Sequence, residues 1–194
     1  MPNHFFSVED CPDPIGWVHE ALKLKNNPFK YKRLGINKTL GLIFFNASLR
    51  TRLSTIKAAQ NLGMETITFD VNKDGWQLET TDGKVMDGNH VEHIREAAAV
   101  MGGYCDILGV RAFPIFLNKR EDYLEKYVLG FREFAGVPII NLESATLHPL
   151  QSFADLMTIE QHKKKKRPKV VMTSAPHVKA LPQAVPNSFS QWMQ

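Results

Sequence analysis

Residues 39–45 read Thr-Leu-Gly-Leu-Ile-Phe-Phe, and residues 46–52 directly after them read Asn-Ala-Ser-Leu-Arg-Thr-Arg. The first run is short and apolar, which predicts a buried strand. The second leads into a predicted helix over Leu53 to Leu62, and Gly63 follows where a left-handed residue commonly ends a helix. A strand that passes through polar residues into a helix is the first part of a β-α-β unit.

The same alternation of strands and helices continues along the chain. Further strands are predicted over Glu65 to Phe69, Ile107 to Val110, Val137 to Asn141 and Val170 to Thr173. Helices are predicted over Val91 to Met101, Lys119 to Phe134, Leu150 to Gln161 and from Asn187 to Met193, and the polar stretch Val71 to Asn89 is predicted to be a loop. Strands separated by helices imply right-handed crossovers, so we expect an α/β fold with a parallel sheet flanked by helices, plus the start of a second α/β domain.

This pattern divides the chain into three parts. We expect a first domain over residues 1–148, an interdomain helix and basic hinge over 149–168, and the incomplete start of a second domain over 169–194. A typical partner domain needs on the order of 100 residues. We therefore expect the chain to stop before its second domain closes a core.

Charge and cysteine content exclude several classes of protein. The net charge is +4, but residues 157–194 contribute +6 and the first 156 residues contribute −2, which argues against a protein-wide nucleic-acid footprint. The lysines at 163–166 fit a solvated interdomain face, with an RNA or membrane patch as the alternative.

Two distant cysteines predict a reducing compartment and no zinc module. With no secretory signal and no apolar run of the ~18–20 residues that span a membrane, we expect a cytoplasmic protein.

Polar side chains follow three of the predicted strands, where ligands bind in parallel sheets. Ser48 to Arg52 open a helix whose free N–H groups and dipole attract anions, although a capped helix with two solvated arginines explains them equally well. Arg111 ends another strand, and taken alone it fits a surface ion pair better than a ligand clamp. Beyond the next strand lie Glu143, His148 and Gln151. His148 is also explained as a neighbour of a helix cap and Glu143 as a solvated carboxylate, while Gln151 could hold an amide. Together they predict a phosphate site with additional donors for a polar planar group.

The order and spacing of these residues resemble a known family. The segments are Ser48-Leu49-Arg50-Thr51-Arg52, Arg111 and His148-Pro149-Leu150-Gln151, and together they are similar to the carbamoyl-phosphate signature of the aspartate/ornithine carbamoyltransferases. Residues 44–49, 74–79 and 141–146 look like the branch that acts on N-acylated ornithine. Residues 175–177 with 181–185 fit the N-succinylornithine enzymes best and the N-acetylornithine enzymes second.

The resemblance implies a reaction in which the δ-amine of an N-acyl-L-ornithine attacks the carbonyl carbon of carbamoyl phosphate. The implied carbamoyl-phosphate ligands are Ser48, Leu49, Arg50, Thr51, Trp76, Arg111, His148, Pro149, Leu150 and Gln151. Arg111 and His148 would polarise the carbonyl oxygen, and Gln151 would orient the carbamoyl amide. The resemblance implies no metal and no organic cofactor.

The same resemblance extends to the second substrate and to assembly. Glu143, His177 and Lys179 are implied to contact the acylornithine, Lys179 through the distal carboxylate of a succinyl group, with an idle exposed lysine as its alternative. Trp76 is implied to reach a neighbouring site within a homotrimer, whereas the residues alone favour a loop anchor. Two positions depart from the family pattern: Val91, in the Asn89 to Glu92 loop that sorts acyl groups, and Ser174, where an aromatic residue is usual. Both bear on the acyl group and not on the reaction.

Overall fold

The computed structural model describes residues 4–86, 88 and 90–194. The strands are β1 (Thr39–Phe44), β2 (Glu65–Asp70), β3 (Gln77–Glu79), β4 (His90–His93), β5 (Ile107–Arg111) and β6 (Ile139–Glu143). The α-helices are α1 (Pro14–Asn26), α2 (Arg50–Leu62), α3 (Val71–Asp74), α4 (Ile94–Tyr104), α5 (Lys119–Asp122), α6 (Lys126–Phe134), α7 (Pro149–His162) and α8 (Ala184–Trp192). Within these described ranges, no helix combines the length and apolar character needed to cross a membrane.

The main sheet contains four parallel strands in the order β2-β1-β5-β6, which confirms the predicted parallel α/β fold. From β1 the chain runs through α2 to β2 on one side, and it later returns to β5 on the other side. The topology therefore reverses between β1 and β5. At such a switch point a crevice opens beyond the carboxyl ends of the strands, and ligands bind there.

Helices cover both faces of the sheet, which explains why β1 is buried and apolar from Leu40 to Phe44. Ile43 packs with the buried side chains of α4 and α6 on one face. Leu42 and Phe44, neither of which is exposed to solvent, pack with α2 and α7 on the other. A smaller cluster joins α1, α7 and α8 through Val18 and Trp192, among others.

The helix predicted over Lys119 to Phe134 is divided in the structure. It consists of α5 and α6, separated at Glu125, whose backbone is left-handed with φ 47°. This departure from helical geometry has a local compensation, because Oε1 of Glu125 accepts hydrogen bonds from both the backbone N and Oγ1 of Thr146, each at 2.8 Å. The periodic charge pattern of this segment predicts one continuous helix and gives no sign of the contact between Glu125 and Thr146.

The loop predicted over Val71 to Asn89 contains regular structure. It includes α3 and β3, and β3 pairs in parallel with β4. Because β4 occupies residues 90–93, the following helix begins at Ile94 instead of Val91, with His93 Nδ1 accepting from the N–H of Arg95 at 3.2 Å. Asn89 lies outside the described residues.

The strand predicted over Val170 to Thr173 is absent from the described chain, and these residues are exposed. A strand needs a hydrogen-bonding neighbour, and none lies beside this segment in the part of the chain that the structure describes. The helix predicted from Asn187 begins earlier, at Ala184. It packs against α7, where Trp192 lies 5.3 Å from the ring of Phe153.

Candidate functional site

A cleft of about 850 Å³ opens beyond the carboxyl ends of β1, β5 and β6. Its walls come from α2, α7 and the first residues of α8. The lining residues are Ala47, Ser48, Leu49, Arg50, Thr51, Ser54, Thr55, Arg111, Leu142, Glu143, His148, Leu150, Gln151, Ala154, Asp155 and Val185. The structure thus brings together residues from the three strand ends that the sequence singled out.

The amino terminus of α2 forms one wall of the cleft. Leu49 precedes the helix and makes no side-chain hydrogen bond to its first N–H groups. Those groups, with the positive end of the helix dipole, make a favourable position for an anion. Ser48 is half-buried beside them and Arg50 is exposed at the rim, so a hydroxyl and a guanidinium can add to the backbone donors.

Arg111 and Glu143 form a buried ion pair at the base of the cleft. A register shift between β5 and β6 places Arg111 opposite Glu143 instead of Leu142. Arg111 Nη1 donates to Glu143 Oε2 and lies 3.4 Å from Thr51 Oγ1. Arg111 is 8% exposed and Glu143 is 7% exposed. Burial raises the pKa of Glu143, and Arg111 partly opposes this shift.

His148 lies next to this pair, at the residue before α7. Its Nε2 is 3.3 Å from Glu143 Oε2. Burial, together with the smaller effect of the positive charge of Arg111, lowers the pKa of His148 from 6.5 to about 4. The imidazole is therefore neutral at pH 7 and carries one N–H donor, whereas Arg111 stays charged. The base of the cleft combines a fixed cation, a neutral donor and a carboxylate.

The lowered pKa of His148 predicts a loss of stability in mild acid. Between pH 6.5 and about 4 the unfolded chain binds a proton at this residue and the folded chain does not, so the free energy of unfolding decreases as the pH falls through this interval. The loss at His148 is expected to be on the order of 2–3 kcal/mol. The raised pKa of Glu143 has the opposite effect on the free energy of unfolding as the pH falls. Glu143 is present in every variant compared, so this effect is common to all of them.

Urea denaturation at pH 7 and pH 4.5 tests this prediction. The variant His148→Gln should lose clearly less stability over this interval than the native chain. His177→Gln, at an exposed histidine, serves as the control and should follow the native chain. Equal pH dependence of the native and His148→Gln chains would contradict the prediction.

Gln151 and Pro149 occupy the first turn of α7. Gln151 lines the cleft and donates through Nε2 to Asp155 Oδ1 at 2.9 Å, which leaves its Oε1 able to accept from a ligand. Pro149 is buried at the first helical position, where its missing N–H costs no hydrogen bond. Pro149 therefore fixes the backbone at the start of α7, and it does not line the cleft.

Several predicted residues lie outside the cleft. Arg52 is directed toward Asp70 Oδ2 at 3.7 Å and stacks 4.5 Å from the ring of Phe44. Trp76 is 54% exposed and its Nε1 donates to Glu92 Oε2 at 2.9 Å. A role for Trp76 in a neighbouring subunit stays a prediction.

The predicted acylornithine contacts near the end of the chain are also remote from the cleft. The Lys179 N–H donates to His177 Nδ1 at 3.1 Å, and both residues are exposed. Val91 and Ser174, the two departures from the family pattern, are exposed as well. The roles assigned to His177 and Lys179 stay predictions.

Residues of α7 and α8 were missed by the sequence reasoning. Asp155 and Val185 line the cleft, and Ser188 Oγ accepts from the backbone N–H of His148 at 2.7 Å. The contact with Ser188 joins residues 40 positions apart, and no local pattern signals it. Among the residues that the structure describes, no group of three or more His, Cys, Asp or Glu side chains could hold a metal ion.

The fold and the cleft define a doubly wound α/β domain whose switch point is suited to an anionic ligand. Residues 3–161 match the family model described as "Aspartate/ornithine carbamoyltransferase, carbamoyl-P binding domain". The chain therefore belongs to the aspartate/ornithine carbamoyltransferase family, as the motifs indicated.

Related proteins and a related crystal structure agree with this family assignment. The chain is 56% identical over 189 residues to an N-succinylornithine carbamoyltransferase of Bacteroides fragilis strain 638R, covering 97% of this chain and 59% of that protein. It is 38% identical to an N-acetylornithine carbamoyltransferase of Xylella fastidiosa strain 9a5c, covering 95% and 56%. A crystal structure of acetylornithine transcarbamylase complexed with acetylcitrulline matches with a TM-score of 0.89 at 34% identity, covering 97% and 57%. The chain spans less than two thirds of the length of these relatives.

Proposed function

We propose that this chain supplies the carbamoyl-phosphate half of a carbamoyltransferase. The complete reaction would transfer the carbamoyl group of carbamoyl phosphate to the δ-amine of N-succinyl-L-ornithine, giving N-succinyl-L-citrulline and phosphate in arginine biosynthesis. The observation that carries the proposal is the meeting of Arg111 and His148 with the open amino terminus of α2 in one cleft. The family match to a carbamoyl-phosphate domain supports the choice of ligand.

The phosphate group would bind at the amino terminus of α2. Backbone N–H groups there, the hydroxyls of Ser48 and Thr51 and the guanidinium of Arg50 supply donors of the kind that phosphate oxygens accept. Leu49 and Leu150 also line the cleft and would limit water around the ligand. The same donors would stabilise the charge on the departing phosphate.

The carbonyl oxygen would face Arg111 and His148. When the amine attacks the carbonyl carbon, negative charge develops on this oxygen, and donors already in place stabilise it without reorganisation. A neutral His148 can donate a hydrogen bond without adding a second buried cation beside Arg111. Oε1 of Gln151 would accept from the carbamoyl amide. The new C–N bond forms, the bond from carbon to the phosphate oxygen breaks, and the departing phosphate takes up the proton that the amine loses.

The proposed acyl group is succinyl. The support is the 56% identity to the Bacteroides fragilis N-succinylornithine enzyme against 38% to the Xylella fastidiosa N-acetylornithine enzyme. The alternative is acetyl, which the similarity to the acetylcitrulline complex supports. A chain extended through a complete second domain and assayed with N-succinyl-, N-acetyl- and unmodified ornithine distinguishes them. Glu143, His177 and Lys179 are the proposed contacts to this substrate.

The organisation of the complete protein is also proposed. Residues 1–148 would form the carbamoyl-phosphate domain, 149–168 the connecting helix and hinge, and 169–194 the first part of the amino-acid domain. We propose a cytoplasmic homotrimer in which Trp76 contacts a neighbouring site. A non-catalytic carbamoyl-phosphate-binding or assembly fragment is the alternative for this chain alone.

Calorimetry with carbamoyl phosphate tests the proposed function. The native chain should bind the ligand with one site per chain, and Arg50→Met should bind about tenfold more weakly because a charge-assisted hydrogen bond is lost. The matched control is Lys57→Met, which removes a positive charge from the same helix at a position that does not line the cleft. A folded native chain that gives no binding heat, or equal affinities for the two variants, would refute the proposal.

A further inference from the structure

The turn that carries His148 is held in part by a helix from a distant segment of the chain. This turn spans residues 144–148 between β6 and α7. Helix α8 begins at Ala184, whereas the match to the carbamoyl-phosphate domain ends at residue 161. The contacts between α8 and the turn therefore connect the proposed catalytic histidine with residues beyond the matched domain.

On one side, the turn is held by hydrogen bonds with residues that lie inside the matched range 3–161. The Ser144 N–H donates to the carbonyl oxygen of Leu147 at 2.8 Å, which closes the turn. Asn141 Nδ2 donates to Ser144 Oγ at 3.1 Å, and Glu125 binds both donors of Thr146. These contacts hold residues 144–147 and leave the backbone N–H of His148 to another partner.

Helix α8 supplies that partner. The backbone N–H of His148 donates to Ser188 Oγ at 2.7 Å, and Ser188 is completely buried. One residue earlier on the helix, Asn187 Nδ2 donates to the carbonyl oxygen of Thr146 at 3.1 Å. Neither Asn187 nor Ser188 lines the cleft, so neither would touch a ligand there.

We propose that Ser188 and Asn187 are positioning residues that fix the backbone at His148 and so orient its imidazole for the carbonyl oxygen of carbamoyl phosphate. The inference rests on the proposed function for its ligand. The physical reason is that the imidazole contacts Glu143 Oε2 at 3.3 Å through Nε2, while its Nδ1 is buried without a hydrogen-bond partner among the residues that the structure describes, so its direction depends on the backbone from which it extends. Loss of the bond to Ser188 leaves a buried N–H without a partner, and the turn can relieve this only by moving.

Two variants of the chain test the proposal by calorimetry with carbamoyl phosphate. Ser188→Ala should weaken binding about tenfold, and Asn187→Ala should weaken it about threefold because its bond is longer and acts on Thr146. Ser190→Ala is the matched control on the same helix, since Ser190 is exposed and bonds only to the carbonyl oxygen of Pro186 in the described structure. It should bind like the native chain.

A second control separates positioning from a general loss of stability. Ile94→Val removes one methylene from the core on the opposite face of the sheet, and it should lower the stability of the fold without changing affinity. The readout specific to positioning is the NMR titration of the His148 ring in the free chain. Its pKa should rise toward the ordinary value in Ser188→Ala, as the ring gains contact with water, and should not rise in Ile94→Val.

The outcomes decide the positioning role and the proposed function separately. If the native chain does not bind carbamoyl phosphate, the proposed function fails, and the titration of His148 alone decides whether Ser188 fixes the ring. The proposal is overturned if Ser188→Ala shows the native titration of His148, or if it binds as tightly as Ile94→Val.

Discussion

Replacing Arg111 with methionine is expected to lower the free energy of unfolding by about 3–5 kcal/mol at pH 8, which is typical when one partner of a buried ion pair is removed. Arg111 Nη1 is the donor that faces Oε2 of Glu143, and both residues are more than nine-tenths buried. Methionine fills a similar space without charge. The cost therefore comes mainly from the carboxylate that stays buried without a cation.

A second substitution and a change of pH identify this cause. In the double variant Arg111→Met, Glu143→Gln, most of the lost stability should return, because the charge that lacks a partner is removed. The loss caused by Arg111→Met alone should also be smaller at pH 5 than at pH 8. Burial already raises the pKa of Glu143, and without the cation the carboxyl takes up its proton still more readily.

Denaturation by urea at both pH values measures these differences. Arg52→Met is the matched control, since Arg52 also follows a strand end but forms a longer ion pair of 3.7 Å with Asp70 and is 34% exposed. Its loss should stay within about 1 kcal/mol. A double variant as unstable as Arg111→Met would show that the loss has another origin, such as the ring contact of Arg111 with Phe113.

The sequence was sufficient to predict the four strands of the main sheet and the side chains at its carboxyl edge. Apolar runs such as residues 39–45 are buried on both faces, so their pattern depends little on tertiary detail. The hydroxyl, guanidinium and imidazole groups follow these strands directly. Parallel pairing then brings Thr51, Arg111 and His148 to one cleft, as predicted.

The contacts that depend on long-range packing could not be predicted. Glu125 breaks a helix because its side chain binds Thr146, and Ser188 meets His148 across 40 residues. Arg111 and Arg52 look equivalent as isolated arginines, yet the register shift beside β6 sets Arg111 against Glu143 with both side chains buried, whereas Arg52 is 34% exposed beside Asp70. The segment 170–173 has the composition of a strand but has no neighbouring strand in the described part of the chain.

The ion pair at the base of the cleft has a further consequence for ligand binding. Glu143 Oε2 contacts the same two groups, Arg111 and His148, that the proposed function assigns to the ligand. An entering phosphate compound must approach or displace this carboxylate. At an effective dielectric constant of about 20, two like unit charges 4 Å apart repel by about 4 kcal/mol, so the carboxylate should reduce the affinity for anions considerably.

The variant Glu143→Gln is therefore expected to bind inorganic phosphate at least about tenfold more tightly than the native chain at pH 8. A tenfold change in affinity requires only a small part of the repulsion energy given above. As the pH falls, Glu143 takes up a proton because burial raises its pKa, and the advantage of the variant should diminish. The ratio of the two affinities at each pH isolates this effect, since the titration of phosphate itself is common to both chains. Glu79→Gln is the control, because Glu79 is 4% exposed but lies outside the cleft. A ratio that stays at one for Glu143→Gln from pH 5 to pH 8 would mean that the carboxylate does not compete with the ligand.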